Sequence, residues 1–190
     1  MKLLTKDFFL QDTVSVARSL IGKELVYKNK DFEIGGIINE TEAYTQEDPA
    51  CHAFNGKITK RNKIMFEEAG TIYIYLIYGM YHCLNIVTED KNRGCAVLIR
   101  SIIPTKNIKE IKKNRNNILD KNLTNGPGKL TLALNIPPTL NGVKLSENCP
   151  LHVRDNTIYV DKIEETPRIG ISENKEALWR FYAPYVTKDV

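Results

Sequence analysis

The chain has 190 residues, 42% hydrophobic and 26% charged, ordinary values for one globular domain with room for a sizeable core. Lys and Arg number 27 against 23 Asp and Glu, which gives a net charge of +4 and a pI near 8.8. That balance permits nucleic-acid binding but excludes affinity by bulk basicity, so any DNA-binding face must segregate its charge.

No run approaches the ~18 apolar residues of a membrane span. Lys6 and Asp7 interrupt the apolar N-terminus before it reaches signal-peptide length, so a cytoplasmic protein of one domain, 1–190, is expected. In chain order, Asp12 is placed to cap a helix over 13–21. Its Val14, Ala17, Leu20 and Ile21 keep apolar helical spacing, and Gly22 follows it. Residues 24–28 and 32–44 read as strands joined by the polar turn Asn29-Lys30-Asp31. Residues 45–70 are polar, carry Pro49, Gly56 and Gly70, and read as a long loop of the functional kind. Residues 71–77 and 81–88 are strand-like, with Tyr78-Gly79-Met80 as the turn between them. A third such run, 96–103, is expected to end at Pro104, with a basic helix over 105–114. Residues 125–134 read as a helix with Pro127 in its first turn. Residues 135–148 read as irregular, and 151–154, 157–160 and 179–182 as short strands. Helices and strands mix without regular βαβ alternation, so the expected class is α+β with an antiparallel sheet.

Four features could carry chemistry. Strand period two sets Ile38, Glu40, Glu42 and Tyr44 on one face just before the long loop. Two close carboxylates repel, which would suit one of them to base work; the plainer alternative is a solvated edge strand. Tyr73, Tyr75, Tyr78 and Tyr81 crowd into nine residues. Core packing accounts for Tyr73 and Tyr81, but Tyr78 at a turn tip is better read as an exposed wedge. Thr59-Lys60-Arg61-Asn62-Lys63 and Lys106, Lys109, Lys112, Lys113 and Arg115 form two basic clusters, either of which could meet phosphates or face solvent. Asn125-Gly126-Pro127-Gly128-Lys129 opens a helix whose free N–H groups could also meet phosphate. The cysteines, Cys51, Cys83, Cys95 and Cys149, match no standard zinc spacing and read as free thiols.

Taken together, these segments resemble the mammalian-type alkyladenine (3-methyladenine) DNA glycosylases. The matching segments are 17–26 (ARSLIGKELV), 40–44 (ETEAY), 48–52 (DPACH), Arg61-Asn62 with Met65-Phe66, and 70–85 (GTIYIYLIYGMYHCLN). They continue in order through 96–100 (AVLIR), 126–134 (GPGKLTLAL), 168–171 (RIGI) and 180–182 (RFY). The resemblance implies one compact domain around a curved antiparallel sheet with flanking helices, and no metal or cofactor. It implies a monomer that acts on double-stranded DNA containing damaged purines, in the nucleoid of a bacterium. By the same resemblance, Glu42 would be the general base and Arg100 would lie behind the attacking water or on the flipped nucleotide. Tyr44, His52 and Tyr75 would line the base pocket, and Asn85 would test the base edge. Tyr78 would intercalate. Arg61, Asn62, Met65, Gly126 and Lys129 would meet DNA. Asn39 and Glu67-Glu68 depart from the family pattern. A non-catalytic DNA-binding module and a metal-dependent nuclease built on Glu40, Glu42 and Asp48 are the alternatives.

Overall fold

The structure is a computed structural model that describes residues 2–29, 31–156, 158–184 and 187–188. Two short helices come first, α1 (Lys6–Phe9) and α2 (Thr13–Ser19). The Asp12 carboxylate accepts from the Ser15 N–H at 2.8 Å and caps α2. Val16, Ala17 and Leu20 bury its apolar stripe. The helix ends two residues short of the expected span.

Strands β1 (Glu24–Lys28), β2 (Glu33–Tyr44), β3 (Ile72–Ile77), β4 (Tyr81–Val87), β5 (Ala96–Lys106) and β6 (Leu151–Arg154) pair in the order β3-β4-β5-β2-β1-β6, all antiparallel. A two-stranded ribbon pairs β7 (Ile158–Tyr159) with β10 (Thr187–Lys188). Between them β8 (Glu164–Thr166) pairs with β9 (Arg180–Tyr182), and β9 lies against Glu40–Glu42 of β2. The sheet curls into a half-barrel, and with α3 (Ile108–Asn114) and α4 (Pro127–Ala133) the fold is α+β, as expected. Sequence patterning misses β8 and β10, each too short to show a period. Lys30 of the expected turn and Thr157 of the expected strand 157–160 lie outside the described residues.

Three expectations need correction, and two of them bear on the site. First, β5 does not stop at Pro104 but runs to Lys106, so the helix over 105–114 starts only at Ile108. A register shift opposite Gly35 and Gly36 absorbs the missing proline N–H. A Cβ on Gly36 would stand 2.1 Å from the Ile103 carbonyl oxygen, so only glycine lets the strands approach there. Second, Ile38 does not share a face with Glu40. Register shifts lie between Ile38 and Glu40 and between Glu40 and Thr41. Ile38, Thr41 and Ala43 therefore point into the main core, where Thr41 Oγ1 donates to the Ala17 carbonyl at 2.7 Å. Asn39 is the extra residue, and its amide donates to the Ala183 carbonyl at 3.3 Å. The same irregularity leaves Arg100 unpaired in the register between Ile99 and Ser101, on the side away from core residues Val97 and Ile99. Third, β2 is no solvated edge. It has β5 along one side and β1 and then β9 along the other.

Candidate active site

Once the register shifts, Glu40, Glu42 and Tyr44 of β2 and Leu98 and Arg100 of β5 are brought to the same side of the sheet. Glu42 has no exposed surface. Its Oε1 accepts from the Ile169 N–H at 2.8 Å and lies 3.3 Å from Arg100 Nη1; its Oε2 accepts from the Tyr44 hydroxyl at 2.7 Å. Glu40 is nearly as buried, and its Oε1 accepts from Arg100 Nε at 2.9 Å and Arg180 Nε at 2.7 Å. The repulsion expected between the two carboxylates is thus offset by two guanidiniums. Burial works against the charge of Arg100, but Glu42 and Glu40 outweigh it, so its proton is held more tightly than usual.

A second buried pair stands behind this one. Asp48 and Arg168 are wholly buried, and Arg168 donates both to Asp48 and, at 2.8 Å, to the Ala43 carbonyl. The guanidinium lies 4.7 Å from the Tyr44 ring centre and 5.1 Å from that of Trp179. Burial opposes ionisation of Asp48, but bonds from Arg168 and Asn174 hold its carboxyl below the usual range. Arg168 thereby fixes the stretch that carries Ile169 to Glu42. The carboxylates of the nuclease alternative, Glu40, Glu42 and Asp48, are thus each engaged by arginine. All four cysteines are buried free thiols.

The three groups around the Glu42 carboxylate, Tyr44, Arg100 and Ile169, line a cavity of about 290 Å³, just under the usual range for small-molecule pockets, and Glu42 lies behind them. Tyr44, His52, Tyr75, Asn85 and Arg100 all line it, as do Tyr73, Cys83 and the 169–172 stretch. The His52 ring meets Tyr75 edge-on at 4.7 Å, and its Nδ1 is 3.0 Å from the Tyr73 hydroxyl. Much of His52 is open to the cleft, yet burial of the imidazole and then the Arg61 charge push its pKa down to about 4, so the ring is neutral near pH 7. The Asn85 amide donates to the carbonyls of Tyr73 (3.1 Å) and Cys83 (3.3 Å), which leaves its own carbonyl oxygen as the end not tied to the hairpin.

Above the cavity the β3–β4 hairpin presents Tyr78. It is 82% exposed and has φ +53°, a left-handed conformation that costs a bulky residue roughly 1–2 kcal/mol. Leu76 and Met80 are exposed beside it. Such exposed apolar surface on strained backbone is a feature of functional tips. Tyr81, expected in the core, is about one-third exposed; Tyr73 is buried as expected. Arg61 stands over the Tyr75 ring at 4.9 Å and donates to the Leu76 carbonyl, tying the long loop to the hairpin.

Two of the DNA-contact expectations are corrected. Asn62 is 1% exposed; its Oδ1 accepts from Thr59 and its amide donates to the His52 and Lys57 carbonyls, so it builds the loop rather than presenting a surface. Met65 is 2% exposed and packs with Cys51, Ala53 and Tyr73 under the cavity. Gly126 and Lys129 stand at the start of α4, with Lys129 Nζ donating to Asn125 at 2.9 Å, and Pro127 reaches the cavity. The two basic clusters differ in part. Lys106, Lys112 and Lys113 are paired with carboxylates, whereas among the described residues no salt bridge engages Lys109 or Arg115, nor Lys57, Lys60, Arg61 or Lys63. Glu67 and Glu68 pair with Lys91 and with Lys6 and Lys144.

Sequence reasoning assigned no role to Arg168, Arg180 or Ile169. The available signal was the placing of both arginines within short segments of the family resemblance. Ile169 acts through its backbone, which no side-chain pattern reveals.

A buried, ion-paired glutamate beneath an aromatic-lined cleft is the arrangement of an enzyme. The comparisons say which kind: the chain belongs to the family described as Methylpurine-DNA glycosylase (MPG), whose model matches residues 7–186. A protein of Prosthecochloris aestuarii named "Putative 3-methyladenine DNA glycosylase" is 47% identical over 193 residues, covering 99% of this chain and 92% of its own length. One of the same name from Clostridium novyi is 42% identical over 208 residues, covering 99% of this chain and all of its own. The protein is a DNA N-glycosylase.

Proposed function

We propose that this is a monofunctional glycosylase of base excision repair. It flips damaged purines such as 3-methyladenine and 7-methylguanine out of duplex DNA and hydrolyses the N-glycosidic bond. Hypoxanthine and ethenoadenine are the neutral lesions to test beside them. The observation that carries this reading is Glu42, a fully buried carboxylate held by Tyr44, Arg100 and Ile169 just behind the aromatic-lined cavity that those three residues border. Extruding a base costs a few kcal/mol, least at a damaged pair. Tyr78 fills the vacated stack, while Arg61, Gly126, Lys129 and lysines 57, 60 and 63 meet the phosphates.

In the cavity the base lies among Tyr44, Tyr75 and the neutral His52, with Asn85 at its edge. A cationic purine on a desolvated tyrosine face is favoured by about 2 kcal/mol, and its positive charge makes it a good leaving group. The C–N bond breaks with its electron pair leaving on the purine. Glu42 stabilises the oxocarbenium-like sugar and takes a proton from water as the water oxygen bonds to the anomeric carbon. Arg100 holds Glu42 in place. The product is an abasic site, and a water nucleophile needs no lysine Schiff base. The enzyme works as a monomer on the bacterial nucleoid.

The test is incubation with methylated and hypoxanthine-containing duplexes in EDTA, followed by chromatography for free base and alkali cleavage of abasic sites. Free base with alkali-labile sites is the expected result. Strand cutting without an abasic intermediate, or loss of activity in EDTA, would sink the reading.

A further inference from the structure

We infer that Tyr44 is a positioning residue for Glu42 as well as a wall of the base cavity, its hydroxyl selecting which carboxylate oxygen acts as the base. The inference rests on the reading that Glu42 activates water. A carboxylate offers about four acceptor positions. Glu42 Oε1 accepts from the Ile169 N–H (2.8 Å) and faces the Arg100 guanidinium charge, Nη1 at 3.3 Å, which holds electron density on that oxygen. Oε2 takes the Tyr44 hydroxyl at 2.7 Å and keeps one position open. The tyrosine therefore fixes the carboxylate's rotation and leaves Oε2 as the oxygen able to receive a proton.

The bond is built rather than incidental. Arg168 lies 4.7 Å from the centre of the Tyr44 ring and is itself clamped to Asp48 and the Ala43 carbonyl, so the phenol cannot swing freely. Burial and then the Glu42 charge push the Tyr44 phenol far above its ordinary range, which keeps it a donor. Around Glu42 the charged and titratable groups are Arg100 on β5, Glu40 on β2, Arg180 on β9, Cys83 on β4 and Arg168 behind the ring. Among the described residues, Arg100 alone of these pairs with the carboxylate, and Tyr44 is the one side chain that donates a hydrogen bond to it. In so buried a place one donor counts heavily.

Tyr44→Phe keeps the stacking ring and removes only the hydroxyl. It is expected to bind lesion duplex within about twofold of wild type but to excise on the order of tenfold more slowly in single turnover, the worth of a bond to a charged group. Ionised Glu42 loses a donor, so the acid limb of the excision profile should move to higher pH. Tyr44→Leu removes the ring as well and should lose affinity too. A Tyr44→Phe enzyme with unchanged rate and unchanged acid limb overturns the inference. So does a rate loss matched by an affinity loss with the limb unmoved. Glu42→Gln is run alongside. If it still excises, the reading beneath falls and the inference with it; if it is inactive while Tyr44→Phe behaves as wild type, only the inference falls.

Discussion

The two ends of the cleft are built on opposite terms. At the floor, Glu40, Glu42 and Asp48 meet Arg100, Arg180 and Arg168, all of them buried or nearly so and each bonded to a partner. At the rim, Tyr78 stands in water on strained backbone, and among the described residues no carboxylate pairs with the lysines of 57–63. Burying a charge costs several kcal/mol unless it is paired, so the floor cannot change one member without stranding another. The rim has little packing to lose. On the proposed reading, chemistry and fold stability are therefore coupled at the floor, whereas recognition at the rim is nearly independent of the fold.

The sharpest way to break this comparison is Glu42→Gln. Loss of a general base costs roughly 10²–10⁴-fold in rate. Excision should fall by that order while lesion binding, measured by fluorescence anisotropy, persists because the aromatic walls are untouched. Undiminished excision would move the base elsewhere. Asp48→Asn tests the other half of the claim. It strands the Arg168 charge where nothing else can neutralise it, a cost of about 3–5 kcal/mol. For a chain of this size the melting temperature should fall by roughly 10 °C. The wild-type contribution has a definite pH sign: the Asp48 pKa is depressed in the fold, so its stabilisation is present above the unfolded carboxylate value and lost as pH falls through the folded one. The variant should lack that acid sensitivity. An unchanged melting temperature would show that the pair is not a clamp.

Much of the floor could be read from residues, but not its construction. Period two found Glu40, Glu42 and Tyr44 on one face because the shift between Glu40 and Thr41 skips Arg100 on β5 and no residue of β2. It failed at Ile38, since a register shift at Asn39 is one residue of geometry with no sequence period. It failed again at Pro104, where a shift in pairing lets a strand continue. The resemblance then selected Glu42 from an open choice and gathered His52, Tyr75, Asn85 and Arg100 from distant segments; the structure has these four around one cavity, with Glu42 behind Arg100 and Tyr44. The partners that neutralise the floor, Arg168 and Arg180, come from the last quarter of the chain. Long-range pairing of that kind leaves no local mark. Asn62 and Met65 show the converse error: a basic loop suggests a surface, yet its polar and apolar anchors are buried.

At the rim, Tyr78→Gly should separate function from fold in the opposite sense to Asp48→Asn. Glycine accepts a φ of +53° without the Cβ penalty, so the variant should be as stable as wild type or more so, by up to about 1 kcal/mol. Without the wedge, affinity for lesion duplex should drop, on the order of tenfold, since one stacking contact is worth about 1–3 kcal/mol. A Tyr78→Gly protein that melts several degrees lower would show that the tip is part of the fold after all.

The smallest effect concerns His52, which stands between the two regions and tests whether the cleft is closed enough to count as floor. Its ring touches Tyr73 and Tyr75 and faces Arg61, and both burial and that charge disfavour the imidazolium. A proton titration followed by NMR at the imidazole Cε1–H should give a midpoint near 4, below the usual value of about 6.5. Because the native ring refuses a proton that the unfolded chain accepts, stability should rise slightly with pH between those two values and level off above them. Excision should show no histidine step between pH 6 and 8. Arg61→Gln removes one of the two causes and should raise the midpoint partway, leaving the burial contribution. A wild-type midpoint above 6 would mean that water reaches the imidazole freely. The boundary between a dry floor and a wet rim would then lie deeper than His52.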